Sequence, residues 1–307
     1  LVFFWVLGRV AMLVSAELPY AIVAAADLFY GVLLAGLIGR EIFIGGHKRN
    51  YKIIVMLGLF CVFNLLFHLG HQYGAAYSDM ALRGVIMQIS LMIALIGGRI
   101  TPSFTRNYLV QKTPDSGKPL PMLFNRFDMF VSVLLVVAAV SWVAVPVSMF
   151  TGGLLCFAGV AQWARISRWQ GVQILGEPLL WVLHLGFVWL GAGLILLGLS
   201  ALGLINVSAG LHAIGIGAMA GMILGVASRA ALGHTQRALV AGKMMTTVFV
   251  LISITALLRA AAALVDGVAY NHFLLSAGVI WLAAFILFCI RYVPILISPA
   301  PSWKKPN

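Results

Sequence analysis

The stretch Leu211–Arg237, LHAIGIGAMAGMILGVASRAALGHTQR, carries a histidine near each end, His212 and His234, around an almost unbroken apolar run. As a helix rising about 1.5 Å per residue it sets the two imidazoles roughly 33 Å apart, close to the thickness of a bilayer core. Ala213, Gly217, Gly221 and Gly225 recur every fourth residue. That spacing leaves one helix face nearly bare, so a neighbouring backbone can approach closely. The stretch reads as a central membrane-spanning helix with polar groups at both ends.

The rest of the chain agrees. Of its 307 residues, 62% are hydrophobic and 9% are charged, against about 25% charged in soluble domains. The fold expected is all-α: a polytopic transmembrane helix bundle forming one domain over residues 1–307. Ten apolar spans can be marked, at roughly 1–16, 19–38, 52–69, 82–98, 128–147, 149–165, 179–203, 209–231, 246–265 and 274–297. Cys61, Cys156 and Cys289 each sit in an apolar run and read as small core residues, not a disulfide framework. The chain opens at Leu1 inside an apolar run without a charged n-region, which reads as a fragment lacking its natural N-terminus.

The net charge of +12 invites a nucleic-acid reading, which the placement of the charges argues against. If the ten spans alternate, all but three of the 20 Lys and Arg residues fall on one side; the exceptions are Arg9, Arg83 and Arg259. Lys48 and Arg49, in the loop 39–52, and Lys304 and Lys305, at the C-terminus, are among the 17 that share a side. Positive charge marks the cytoplasmic side. The C-terminus and the loop 99–126, with Pro102, Pro114, Pro119 and Pro121, are therefore expected in the cytoplasm, and the partner of the surface is a lipid bilayer.

Orientation gives each histidine a side. His68, His71, His212 and His272 fall near the outer face. Imidazole is the commonest protein ligand of haem iron and copper. His68 and His212 sit on different spans at similar depth, as two axial ligands must. Asn64, one turn before His68, is placed to hydrogen-bond its ring or a bound ligand. A histidine at a helix end also fits an interfacial, solvated residue. His184 is deeper, about six residues into its span from the cytoplasmic side, where an ionisable group is costly and a functional candidate by default. His234 falls in or near cytoplasmic water, on the order of 15 Å from the depth of His184. His47 reads as an uninvolved loop residue.

Arg9 and Asp27 are each about eight residues into adjacent antiparallel spans, and an ion pair in hydrocarbon costs far less than either charge alone. The pair fits helix packing, or an Arg9 that meets a haem propionate or small anion. Arg99, Arg106 and Arg229 could hold a carboxylate or phosphate, lipid included, or be ordinary cytoplasmic charge. No GxxxxGK[ST], CxxCH or HExxH occurs, so neither a P-loop nor covalent haem attachment by that motif is expected.

Several stretches, in order, resemble the NnrS family. They are Gly8-Arg9, Asp27-Leu28-Phe29, Arg49-Asn50, Asn64-Leu65-Leu66-Phe67-His68 and the run GGRITPSFTRN from Gly97 to Asn107. Asn125-Arg126-Phe127-Asp128, Leu183-His184-Leu185, LHAIGIGA and ALGHTQR complete the set. The resemblance implies a bacterial inner-membrane protein of about twelve spans, two more than are marked here. It implies non-covalent b-type haem and copper, nitric oxide as ligand, and a role in nitrosative stress or denitrification. From the placement of the histidines themselves, His68 and His212 are the first metal-ligand candidates, with His184 and His234 next. No catalytic residue is implied. The alternative reading is a secondary transporter of a small solute or metal, using glycine-rich helices and buried charges as its pathway.

Overall fold

The computed structural model describes residues 1–46, 50–112 and 117–299. His47, Lys48, Arg49, Pro114, Lys304 and Lys305 lie outside the described residues. A helix stands at each of the ten expected spans, and no strand occurs among the described residues. The helices are α1 (Val2–Leu13), α2 (Tyr20–Ile44), α3 (Tyr51–Tyr73), α4 (Ala75–Met92), α5 (Gly98–Lys112), α6 (Arg126–Ala144), α7 (Met149–Ile166), α8 (Pro178–Ala201), α9 (Ser208–His212), α10 (Gly221–His234), α11 (Gly242–Ala262) and α12 (Gly267–Ile297). Wider π-helical turns, Ile93–Gly97 and Ala213–Ala220, join α4 to α5 and α9 to α10. Among the described residues eight continuous helical stretches are long and apolar enough to cross a membrane. Of the ten spans, α1 with its 12 residues and α7, which carries Gln162 and Arg165, are the two outside that set.

One expectation needs correcting. The stretch 99–126 is not a loop throughout, because α5 carries the helix on to Lys112. Pro102 is accommodated near its start. Proline has no N–H for the carbonyl four residues back, here that of Gly98. The Arg165 guanidinium donates to that carbonyl instead, at 3.3 Å.

Helix ends follow local chemistry. Asn125 and Asp128 form a reciprocal capping box at the start of α6, satisfying two N–H groups that lack helical partners. Ser148 caps α7 through the Thr151 N–H at 3.0 Å. Pro178 opens α8, where its missing N–H costs nothing.

The chain packs as two compact units, Leu1–Gln88 and a second beginning at Ile89. In the first, α1 packs on α2 and α2 on α3. Gly8 makes the first contact close: a Cβ there would lie 3.1 Å from the Asp27 Cα. In the second unit α8 is central, with Leu179, Leu183, Phe187, Leu190, Leu194 and Leu197 all fully buried, as expected of a helix apolar all round. It packs against α7, α9, α10 and the π-helical turn Ala213–Ala220.

The ladder expected on that last stretch is interrupted. Cβ atoms at Gly217 and Gly225 would meet α8 side chains, Trp189 and Val182 respectively, whereas one at Gly221 would meet nothing within 4 Å. The π-helical turn inserts extra backbone between them and rotates the face. Spacing of four assumes one unbroken α-helix.

Candidate functional site

His184 lies on α8, buried, with Nδ1 3.2 Å from the Leu180 carbonyl one turn back. A carbonyl only accepts, so Nδ1 carries the proton and Nε2 is left with its lone pair. The Trp169 backbone lies close enough to pair with the ring, but no hydrogen bond of normal geometry reaches Nε2. An orphaned buried nitrogen calls for a ligand or an ordered water. His184 lines a cavity of about 550 Å³ whose apolar walls include Trp163, Trp181, Leu185 and Val188. Gly171 lines it too: a Cβ there would stand 3.1 Å from His184 Cδ2 and 3.8 Å from Nε2. A side chain at 171 would press on that ring edge. The preceding Gln170 takes φ 58°, the left-handed bend that turns the chain toward α8.

The ring is also held from behind. Trp169 meets His184 edge-on at 6.1 Å and Phe187 at 4.7 Å. The Arg165 guanidinium sits 5.4 Å from the Trp169 ring centroid. Arg165 is fully buried and fully used: Nε bonds Asp128 at 2.6 Å, one terminal nitrogen the Ala94 carbonyl at 2.7 Å, the other the Gly98 carbonyl. Arg168 approaches the second Asp128 oxygen at 3.4 Å. One carboxylate thus ties α6 to α7, and one guanidinium ties α7 to the π-helical turn before α5.

His212, at the end of α9, has both ring nitrogens engaged. Nδ1 lies 2.7 Å from the Ser208 carbonyl and Nε2 2.7 Å from an Arg259 nitrogen on α11. His68 belongs to the first unit and is likewise engaged on both sides. Its Nδ1 is 3.1 Å from the Tyr20 hydroxyl and its Nε2 3.2 Å from Asp27 Oδ2. Arg9 makes an ion pair with the other Asp27 oxygen. Arg9, Asp27 and Asn64 line a separate cavity of about 600 Å³ in that unit. His71, exposed, stacks on Tyr20 with ring centroids 3.7 Å apart.

The remaining candidates sit as follows. His234 and His272 are exposed. Arg229 stacks over Phe104 at 4.5 Å, and Arg106, two residues further along α5, is half-buried on a different face of that helix, so the two arginines are not brought together through this contact. Arg99 lies over Phe124 at 5.2 Å. Among the described residues no three His, Cys, Asp or Glu side chains gather as a metal-ligand group.

Sequence reasoning passed over Tyr20, Arg259, Gly171 and the two cavity indoles. Arg165 and Asp128 were visible only as ordinary charge and as part of a family stretch. A signal was present for Asp128 alone: Asn125-Arg126-Phe127-Asp128 has capping-box spacing, whereas Arg165, at the end of its span, reads like the neighbouring Arg168.

Eight long apolar helices, with ion pairs and histidines held within their packing, define a multi-pass helical membrane protein. The chain belongs to the NnrS family, whose model, described as NnrS protein, matches residues 1–300. No curated protein matches the chain. No solved structure matches it either.

Proposed function

We propose that this chain binds haem and copper in the bacterial inner membrane as part of the nitric oxide response, and that His184 Nε2 is a metal ligand. The observation that carries the assignment is that Nε2: it is buried and makes no hydrogen bond of normal geometry, on a residue that lines an apolar cavity. Its Nδ1 bond to Leu180 orients the ring, as outer partners of ligating histidines do. The cavity is within the roughly 300–1,000 Å³ range of cofactor and ligand sites. Non-covalent binding agrees with the absence of CxxCH from the sequence. A haem iron or copper ion there would supply a coordination position for nitric oxide. His68 and His212 would each have to give up a hydrogen bond to take a metal, so the ligand role is placed on His184. The balance of basic residues supports a cytoplasmic C-terminus.

The test is the visible spectrum of the detergent-purified protein, oxidised and then reduced, with copper counted on the same sample. A Soret band that shifts with nitric oxide is expected. It should be lost in His184→Gly and return when free imidazole is added. A colourless, copper-free protein that cannot be reconstituted would overturn the metal reading. Full metal content in His184→Gly would overturn the ligand assignment alone.

A further inference from the structure

In the first unit four side chains from three helices form one polar chain: Tyr20, His68, Asp27 and Arg9. Tyr20 is the first residue of α2 and half-buried, beside the exposed His71. His68 and Asp27 are buried, at 4% and 7% exposure. Asp27 lies seven residues further along α2, roughly 10 Å deeper at helical rise. There it lines the 600 Å³ cavity with Arg9 and Asn64. The chain of bonds therefore leads from the helix mouth to the wall of a cavity inside the unit.

Its polarity is defined. Arg9 pairs with one Asp27 oxygen, and the other, Oδ2, accepts from His68 Nε2–H. With the proton on Nε2, Nδ1 accepts from the Tyr20 hydroxyl. Arg9 from α1, Asp27 and Tyr20 from α2, and His71 on α3 itself are the charged or titratable groups set around His68. From α4, Ser78 closes the corner by bonding the Phe67 carbonyl at 3.2 Å.

We propose that Tyr20, His68 and Asp27 are a proton relay between the aqueous mouth of α2 and this cavity. A proton reaching the Tyr20 oxygen from water displaces the hydroxyl proton onto His68 Nδ1. The Nε2 proton passes to Asp27 Oδ2. One proton has then moved inward, Tyr20 is unchanged, and His68 is neutral with its proton on Nδ1. Release from Asp27 into the cavity and a turn of the imidazole reset the chain. Arg9 positions the carboxylate, and the close approach at Gly8 brings Arg9 to it. The relay needs no metal and stands independently of the His184 assignment.

The test is a flash-induced pH jump on the whole protein in nanodiscs, with infrared detection of the protonated carboxyl band. Asp27→Asn identifies the band by deleting it. Protonation of Asp27 is expected to slow by roughly a hundredfold in His68→Phe, within the range that positioned proton donors supply. Tyr20→Phe, which removes one oxygen and keeps the ring, should also slow it. Added imidazole should restore the rate in His68→Gly, which a merely structural histidine would not allow. Unchanged rates in both Tyr20→Phe and His68→Phe would overturn the relay. So would an Asp27 that stays ionised down to about pH 4, the ordinary carboxyl range, or a His68→Phe protein whose defect is metal loss with proton uptake intact.

Discussion

Arg165 shows how a single residue can hold several elements. It is fully buried and its hydrogen bonds are divided among Asp128 and two main-chain carbonyls. One of those carbonyls, at Gly98, is free because Pro102 cannot reach it. Removing one member of a buried pair leaves the other charge uncompensated, so Asp128→Ala is expected to cost about 3–5 kcal/mol. Denaturant unfolding in detergent reads that loss, and a change within error would show that the two carbonyls suffice for Arg165. Gly171 makes a different prediction. A Cβ at 3.1 Å from the buried His184 ring would crowd the wall of the proposed metal site. Gly171→Val should therefore lower haem or copper loading while the unfolding midpoint stays close to that of the wild type.

At the scale of elements, the two π-helical turns matter most. The turn Ala213–Ala220 changes which residues of the Leu211–Arg237 stretch meet α8. Gly221 faces open space, so Gly221→Ala is expected to be neutral or to stabilise by about 0.5–1 kcal/mol, the usual cost of helical glycine. Gly225→Ala should destabilise, since its Cβ would fall 2.8 Å from Val182 Cγ1 and 2.9 Å from Leu183 Cδ2. Equal effects at the two positions in thermal unfolding would contradict the interrupted ladder. The α7–α8 contact offers a stricter case. A Cβ at Gly159 would stand 2.5 Å from the Gly191 carbonyl oxygen, which is backbone and cannot swing aside. Gly159→Ala should cost about 1–3 kcal/mol, the range for overpacking.

For the whole molecule the decisive quantity is the distribution of charge over alternating spans. It predicts that Lys118→Cys, in a protein cleared of its native cysteines, is shielded in intact cells from a membrane-impermeant maleimide. Asn206→Cys, in the turn before α9, should react from outside. Both positions labelling alike would break the alternation. The same scale explains why one family model can span residues 1–300 while the chain packs as two compact units. Apolarity is set by the bilayer along the whole length, whereas compactness depends on which helices touch.

What the sequence by itself determined is therefore the class. Apolar length specifies spanning helices, because backbone groups in hydrocarbon must bond within their own segment. Charge asymmetry specifies the expected orientation, and the run from Gly97 to Asn107 with ALGHTQR pointed to the family. The histidines were legible as candidates but not as a ranking. His68, His184 and His212 differ in what their ring nitrogens touch, and those partners lie elsewhere in the chain: Tyr20 and Asp27 for His68, Arg259 for His212. A ring nitrogen's availability depends on what the tertiary packing brings within about 3 Å of it, and no spacing along the chain records that. Only the packed structure shows Nε2 of His184 buried without a hydrogen bond of normal geometry, on a residue that lines a cavity, and Pro102, a residue expected in a loop, setting the carbonyl that Arg165 comes to bind.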